Sequence, residues 1–281
     1  MSELPGFVHF EAEEKIGRYL VFEKLVEGDM DAVYKAMDPV LHRFLSVKVF
    51  KDAAQASKEQ IDAFLKAIRE LAALSHRYVV PIYDMGRISR YIYVATGYIE
   101  GYTMADYIRD DRIYSGKMAR RFVEEVCAAL QYAQQMNFLH LDLTPNNILV
   151  DWNHNLSVAN LGINQCRNFL LDKPAYEILN IPAYAAPEHI QGGEMTYQTD
   201  MYSLGAVLFH LMTGERVYTG HTPEEVFHAH LHEPFPTDRA LDLKIPLPWI
   251  DMLSRLMEKD PAKRYSSYRD IIDHAIAIEP F

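Results

Sequence analysis

The sequence predicts an α+β protein of two lobes, the first rich in strands and the second helical. Three observations carry this. Runs of β-branched and aromatic residues are confined to the first third of the chain. From Met104 onward, apolar residues recur at helical spacing instead. The length, 281 residues, exceeds what one small core organises.

Taken in order, Tyr19-Leu20-Val21-Phe22, Ala32-Val33-Tyr34-Lys35-Ala36 and the run from Phe44 to Phe50 read as strands. Turn formers separate them at Glu27-Gly28-Asp29 and Asp38-Pro39. A helix follows, with Ser57 as its N-cap and Ile61, Phe64, Leu65, Ile68, Leu71 and Leu74 at helical spacing. Two more strands are expected around Val79 to Tyr83 and Tyr91 to Ala95. The clearest helix runs from Met118 to Met136, where Phe122, Val126, Leu130 and Ala133 form one apolar stripe. No internal repeat or low-complexity linker interrupts the pattern.

Hydrophobic residues at 49% and charged residues at 24% are ordinary for a folded soluble protein. The net charge of -11 argues against nucleic acid or an anionic membrane as the main partner, because both need a basic face. Cys127 and Cys166 have no paired spacing, so neither a disulfide framework nor a zinc site is expected, which fits a reducing cytoplasm. The acidic start lacks the basic-then-apolar order of a signal peptide, and no run is long enough to span a membrane. The expectation is a cytoplasmic protein.

Five segments then point to one family. The run from His140 to Leu149 (His-Leu-Asp-Leu-Thr-Pro-Asn-Asn-Ile-Leu) resembles the catalytic loop of protein kinases. Ala186-Pro187-Glu188 resembles the close of their activation segment, and Asp200-Met201-Tyr202-Ser203-Leu204-Gly205 the start of the helix that anchors the catalytic lobe. Asp260-Pro261-Ala262-Lys263-Arg264 resembles the late segment whose arginine pairs with the Ala-Pro-Glu glutamate, and Leu45-Ser46-Val47-Lys48 the lysine strand. The similarity runs from about Arg18 to Ile278 and is most like the bacterial Ser/Thr kinases.

The resemblance implies an extension over residues 1–17 and a kinase-like domain over 18–281. Within it, the N-lobe covers about 18–97, the hinge 97–101 and the C-lobe about 102–281. It implies Asp142 as catalytic base and Lys48 as the lysine that contacts nucleotide phosphate. Val26 and Gly28 stand in the phosphate loop, Val33, Ser46 and Leu149 against the adenine, Thr96 as gatekeeper, and Gly97 and Tyr98 in the hinge. Asn147 and Asn160 stand where magnesium ligands stand.

The departures from the pattern concern phosphate and metal. Val26 and Asp31 replace two loop glycines, and Asp29 and Asp31 place carboxylates toward the triphosphate, each repulsive by about 1 kcal/mol at a surface. Ala67 stands where the helix glutamate that pairs with the lysine belongs, and Glu70 is the nearest substitute, one turn along. Thr144 replaces the lysine that steadies the γ-phosphate, Leu141 the arginine that receives a loop phosphate, and Ile181 the threonine of the substrate platform. Asn160-Leu161-Gly162 replaces Asp-Phe-Gly, so a neutral amide stands in for a carboxylate that binds a hard cation. Between Ile163 and Ala185 no serine or threonine occurs, leaving Tyr176 and Tyr184 as the hydroxyls of that segment. His221, His228, His230 and His232 read as a solvated helix and loop, not a metal cluster.

The expected function is therefore a pseudokinase with a regulatory or scaffolding role through a protein partner, such as an active kinase. ATP would be held weakly and Mg²⁺ poorly. The alternative is a slow, atypical ATP-dependent Ser/Thr kinase, with a nucleotide sensor between the two.

Overall fold

Alternation along the strands decides which residues the first sheet buries. The computed structural model describes residues 9–28, 30–171 and 182–279, and the chain groups into two compact units. The first takes in the described residues up to Ser75 together with 80–98 and 166–171; the second takes in 76–79, 99–165 and 182–279. The grouping thus differs from the expected division at 9–17, 76–79 and 166–171.

The first unit is a six-stranded antiparallel sheet in the order β1-β2-β3-β4-β6-β5. Its strands are β1 (Lys15–Ile16), β2 (Tyr19–Glu27), β3 (Asp31–Asp38), β4 (Arg43–Phe50), β5 (Ile82–Ile88) and β6 (Tyr91–Gly97). In β3, Ala32, Tyr34, Ala36 and Asp38 are buried while Asp31, Val33, Lys35 and Met37 are half-buried. The buried set packs with Ile16, Val21, Leu45, Val47, Val49 and Ala95. Cross-strand partners share a face, so the pairs Val33–Lys48, Lys35–Ser46 and Ser46–Thr96 place these residues together on the opposite face. Asp38 ends β3 by accepting from Val40 N at 2.9 Å and Leu41 N at 3.2 Å, the chemistry behind the Asp-Pro turn.

Helix α1 (Lys58–Leu71) begins at a capping box: Gln60 N donates to Ser57 Oγ and Ser57 N to Gln60 Oε1. It buries Phe64, Ile68 and Leu71, and Phe64 meets Phe50 edge-on at 5.2 Å.

Two boundaries fall differently from expectation. Ile16 is fully buried in β1 and Phe10 packs edge-on against Tyr34, so the segment read as an extension contributes to the sheet. A two-residue strand is too short for alternation to reveal. The strand expected at 79–83 begins instead at Ile82, because Pro81 has no N–H for a ladder; Val79 makes a single bridge to Val158 in the second unit.

The second unit holds a three-stranded sheet of β7 (Gly101–Thr103), β8 (Ile148–Asp151) and β9 (Leu156–Val158). Around it come α2 (Met104–Arg109), α3 (Gly116–Gln135), α5 (Pro187–Ile190), α6 (Tyr197–Thr213), α7 (Pro223–His232), α8 (Thr237–Asp242), α9 (Leu247–Leu256) and α10 (Tyr268–Ala277); the short α4 (Ile163–Arg167) precedes α5 in the chain. Helix α6 is buried on every side from Thr199 to Phe209. Gly205 permits that, since a Cβ there would lie 2.8 Å from Met257 Cγ and 2.9 Å from Leu256 Cβ. His230 departs from the solvated reading: it is fully buried, with Nδ1 2.9 Å from Tyr202 Oη. Among the described residues no helix is long and apolar enough to cross a membrane.

Candidate functional site

In the first unit, the site begins at Lys48 on β4. Its Nζ lies 3.6 Å from Asp31 Oδ2, so its ion pair comes from β3 and not from α1, the helix of Ala67 and Glu70. The same Asp31 oxygen lies 3.3 Å from Arg167 Nη1, and Arg167 Nε donates to Asp52 Oδ2 at 2.6 Å. Arg167 is 1% exposed. Burial raises the Asp52 carboxyl above its ordinary value and the Arg167 charge opposes that rise. Asp31, expected to place a carboxylate toward the triphosphate, is engaged by two cations. Asp29 lies outside the described residues.

Val33, Ser46 and Thr96 lie on the half-buried face that also carries Lys48, and Thr96 Oγ1 donates to the Ser46 carbonyl at 3.3 Å. Gly97 N donates to Pro81 O at 2.9 Å, and Tyr98 meets Phe44 edge-on. Val26 is exposed, while Gly28 N closes the loop on Asp31 O at 2.9 Å. Sequence reasoning missed Lys35, whose ammonium sits 4.6 Å from the Phe44 ring centre, 4.8 Å from Tyr98 and 5.2 Å from Phe22. Its spacing of two from Val33 was the available signal.

In the second unit, a buried carboxylate shapes the loop that carries Asp142. Asp200 Oδ2 and Oδ1 accept from His140 N and Leu141 N, each at 2.8 Å. Those bonds hold Leu141 in the left-handed region, at φ 59°. Desolvation pushes the Asp200 carboxyl up to about 6, against the two amide donors. The His140 ring Nε2 lies 3.1 Å from Ala159 O, which ties the loop to the residue preceding Asn160.

Asn147 Nδ2 donates to Asp142 O at 2.7 Å and to Asp142 Oδ2 at 3.0 Å. Asn160 Nδ2 in turn donates to Asn147 Oδ1 at 2.7 Å. The three form a relay that runs from Asn160 through Asn147 to Asp142. Asn160 sits at φ 60°, a conformation asparagine tolerates. Thr144 is buried, and its carbonyl accepts from Asn147 N at 3.0 Å. Leu149 lies on β8, paired with Thr103 and Ser157.

The two positions that correspond to magnesium ligands carry no carboxylate. The Asn147 oxygen that would face the ion already accepts from Asn160, and both candidate ligands are neutral amides. Among the described residues no group of three or more His, Cys, Asp or Glu gathers to hold a metal.

The sequence matches the protein kinase domain family over residues 19–276. The chain belongs to the protein kinase family. It is 31% identical over 255 residues to a probable serine/threonine-protein kinase of Clostridium perfringens, covering 91% of this chain and 37% of that protein. Against the serine/threonine-protein kinase PrkC of Bacillus subtilis the identity is 29%, over 91% of this chain and 39% of that one. The chain thus spans about two fifths of the length of these relatives. Two solved structures share the fold. The Mycobacterium tuberculosis PknI kinase domain is 23% identical with a TM-score of 0.72, covering 95% of this chain and 99% of that one. Rad53 1-466 in complex with AMP-PNP is 21% identical with a TM-score of 0.75, covering 92% of this chain and 64% of that one.

The kinase anchor between the Ala-Pro-Glu segment and the late arginine is intact. Arg264 Nη1 and Nη2 grip Glu188 Oε1 and Oε2 at 2.7 and 2.8 Å, and Arg264 also donates to the carbonyls of Gln198 and Glu258. Tyr184 is buried, its hydroxyl 2.7 Å from His210 Nδ1, so it is no accessible phosphate acceptor. Burial pushes His210 down to about 4, which keeps the ring neutral. Tyr176 and Ile181 lie outside the described residues.

Beside Arg264, whose Nη2 donates to the Lys259 carbonyl, Lys259 Nζ donates to His230 O at 2.7 Å, Tyr218 Oη at 3.1 Å and Tyr202 Oη at 3.3 Å. Desolvation, with Arg264 nearby, pushes its amine down to about 8. The folded lysine sheds its proton above that value, while the unfolded one holds it to its ordinary value near 10.5. The contribution of Lys259 to stability therefore rises with pH from about 8 toward 10, by on the order of 1 kcal/mol after solvent screening. The thiols of Cys127 and Cys166 and the phenols of Tyr202 and Tyr218, all raised by burial, pull the other way as the unfolded chain ionises. Urea titrations at pH 8 and pH 9.5 should show Lys259→Met losing more stability over that interval than the unaltered chain, by on the order of 1 kcal/mol.

Proposed function

We propose that this chain is a pseudokinase that acts through a protein partner, in a regulatory or scaffolding role. Nucleotide is held weakly and is not turned over efficiently. The observation that carries this reading is the 2.7 Å bond from Asn160 to the Asn147 oxygen. Phosphoryl transfer depends on metal to neutralise the charge spread over the transferring group. A neutral amide pair whose oxygen is already engaged is a poor substitute for the carboxylate that a hard cation needs. Lys48, engaged by Asp31, supports the same reading. An active kinase is the class of partner the family suggests. The buried free thiols Cys127 and Cys166 fit a cytoplasmic setting.

The second reading, a slow Ser/Thr kinase, is favoured by Asp142, Lys48 and the named activities of the bacterial relatives. Labelled ATP with Mg²⁺ or Mn²⁺ and a generic protein acceptor separates the two. The pseudokinase reading expects no transfer above that of Asp142→Asn. Transfer that is lost in Asp142→Asn establishes the slow kinase. A thermal shift with ATP that Lys48→Met abolishes, without transfer, identifies nucleotide binding alone.

A further inference from the structure

We propose that Asp31 is a built-in competitor for nucleotide phosphate at Lys48, and that Arg167 locks it there. The inference rests on reading Lys48 as the phosphate lysine.

The local sequence dictates the placement. Asp31 pairs with Phe50 and Val33 with Lys48, so in a strand of period two Asp31 lies on the Lys48 face, one diagonal step away. The family pattern has glycine at this position, which offers no side chain. Here a carboxylate lies within salt-bridge distance of the lysine through a single oxygen, Oδ2, which Arg167 approaches as well.

Burial makes the contact matter. The Arg167 and Asp52 side chains are 1% and 2% exposed, and those of Asp31 and Lys48 only 15% and 16%. Salt screens such pairs far less than surface ones. Asp31, Asp52, Lys48 and Arg167 balance to zero charge, so the lysine has no uncompensated charge to offer. A phosphate arriving at Lys48 would meet the Asp31 carboxylate beside it, and must displace that group or bind against its repulsion.

Arg167 explains why Asp31 does not simply swing away. Its Nε is committed to Asp52 and its Nη1 to Asp31, and the ring of Phe50 lies 5.7 Å beneath the guanidinium. Its buried Nη2 has no hydrogen-bond partner among the described residues. A guanidinium buried with one donor unmet is costly, and the two carboxylates are what hold it. Arg167 belongs to residues 166–171, which follow the Asn160-Leu161-Gly162 segment in the chain yet group with the first unit. This stretch is thus a latch whose withdrawal frees Asp31 and then Lys48. No serine or threonine occurs between Ile163 and Ala185, so the latch has no Ser/Thr phosphorylation handle within that segment. Release by a bound protein partner is the mode that remains consistent with the proposed function.

Calorimetric titration with ATP and, separately, with adenosine tests the proposal on the unaltered chain, Asp31→Asn, Asp31→Gly, Arg167→Gln and Asp31→Asn/Lys48→Met. The expected result is ATP affinity raised tenfold or more in both Asp31 variants and by a smaller factor in Arg167→Gln, with adenosine affinity unchanged. The double variant should lose the gain. ATP affinity unchanged or weakened in Asp31→Asn, with adenosine still bound, overturns the competitor role and leaves the nucleotide reading standing. If no variant binds either compound, the nucleotide reading fails and the competitor role falls with it. Asp31→Asn keeps the volume and shape of the side chain, so it decides the matter even where Asp31→Gly or Arg167→Gln unfolds.

Discussion

Asn160→Asp should make the stability of this chain depend on magnesium more steeply than that of the unaltered chain. Without metal, the substitution removes the Nδ2 donor and sets a carboxylate oxygen against Asn147 Oδ1, 2.7 Å away in the starting structure. Asn147 cannot relieve the clash by turning its amide over, because its Nδ2 is committed to two oxygens of Asp142. The unmet acceptors, one on buried Asn147 and one at half-buried position 160, should cost about 1–3 kcal/mol, which lowers Tm by several degrees at about 2–4 °C per kcal/mol in a chain of this size. Magnesium reverses the penalty, since a carboxylate and an amide oxygen aimed at one point are ligands and no longer a clash. Thermal scans in EDTA and in millimolar Mg²⁺ read the effect directly. A variant whose Tm ignores magnesium would show that position 160 does not govern metal binding. Phosphoryl transfer gained by the same variant would place the loss of chemistry there too.

Arg264→Ala should cost about 3–5 kcal/mol, the largest effect on stability of any substitution considered. The guanidinium is 3% exposed and holds both oxygens of Glu188 along with the carbonyls of Gln198 and Glu258. Its removal strands a buried carboxylate and leaves those carbonyls short of a donor. Glu188→Ala leaves the opposite charge unpaired and should be comparably damaging. The two are not additive: the double substitution should cost well under the sum of the singles, because the second change removes the charge that the first exposed. Urea unfolding reads this as a fall in midpoint at constant slope. Additive losses would mean that the pair contributes packing and not mutual neutralisation.

Much of the first unit is legible in its residues alone. The alternation of β3 and β4 assigns Val33, Ser46 and Lys48 to one face without knowledge of what covers the other. Ser57 marks the start of α1 because an N-cap is a local device, closed by Gln60 three residues on. The order of the kinase motifs is legible because each is a short backbone arrangement with few sequence solutions, as at Leu141 and Gly205. Other features are hidden. Isolated in sequence, Lys15-Ile16 is too short to show a period, and His230 looks like one more surface histidine until Tyr202 and Tyr218 close around it.

By itself, then, the sequence determined the fold, the face on which Lys48 stands, and the replacement of a metal carboxylate by Asn160. Those follow from periodicity and residue type, which act over a few positions. Only the tertiary structure decided what the charges and amides do with each other. Asp31 finds Arg167 across 136 positions, and Asn160 finds Asn147 across 13. No local pattern encodes such a partnership, because an ion pair or hydrogen bond depends on distance in space and on burial, and both arise only once the strands and loops have closed.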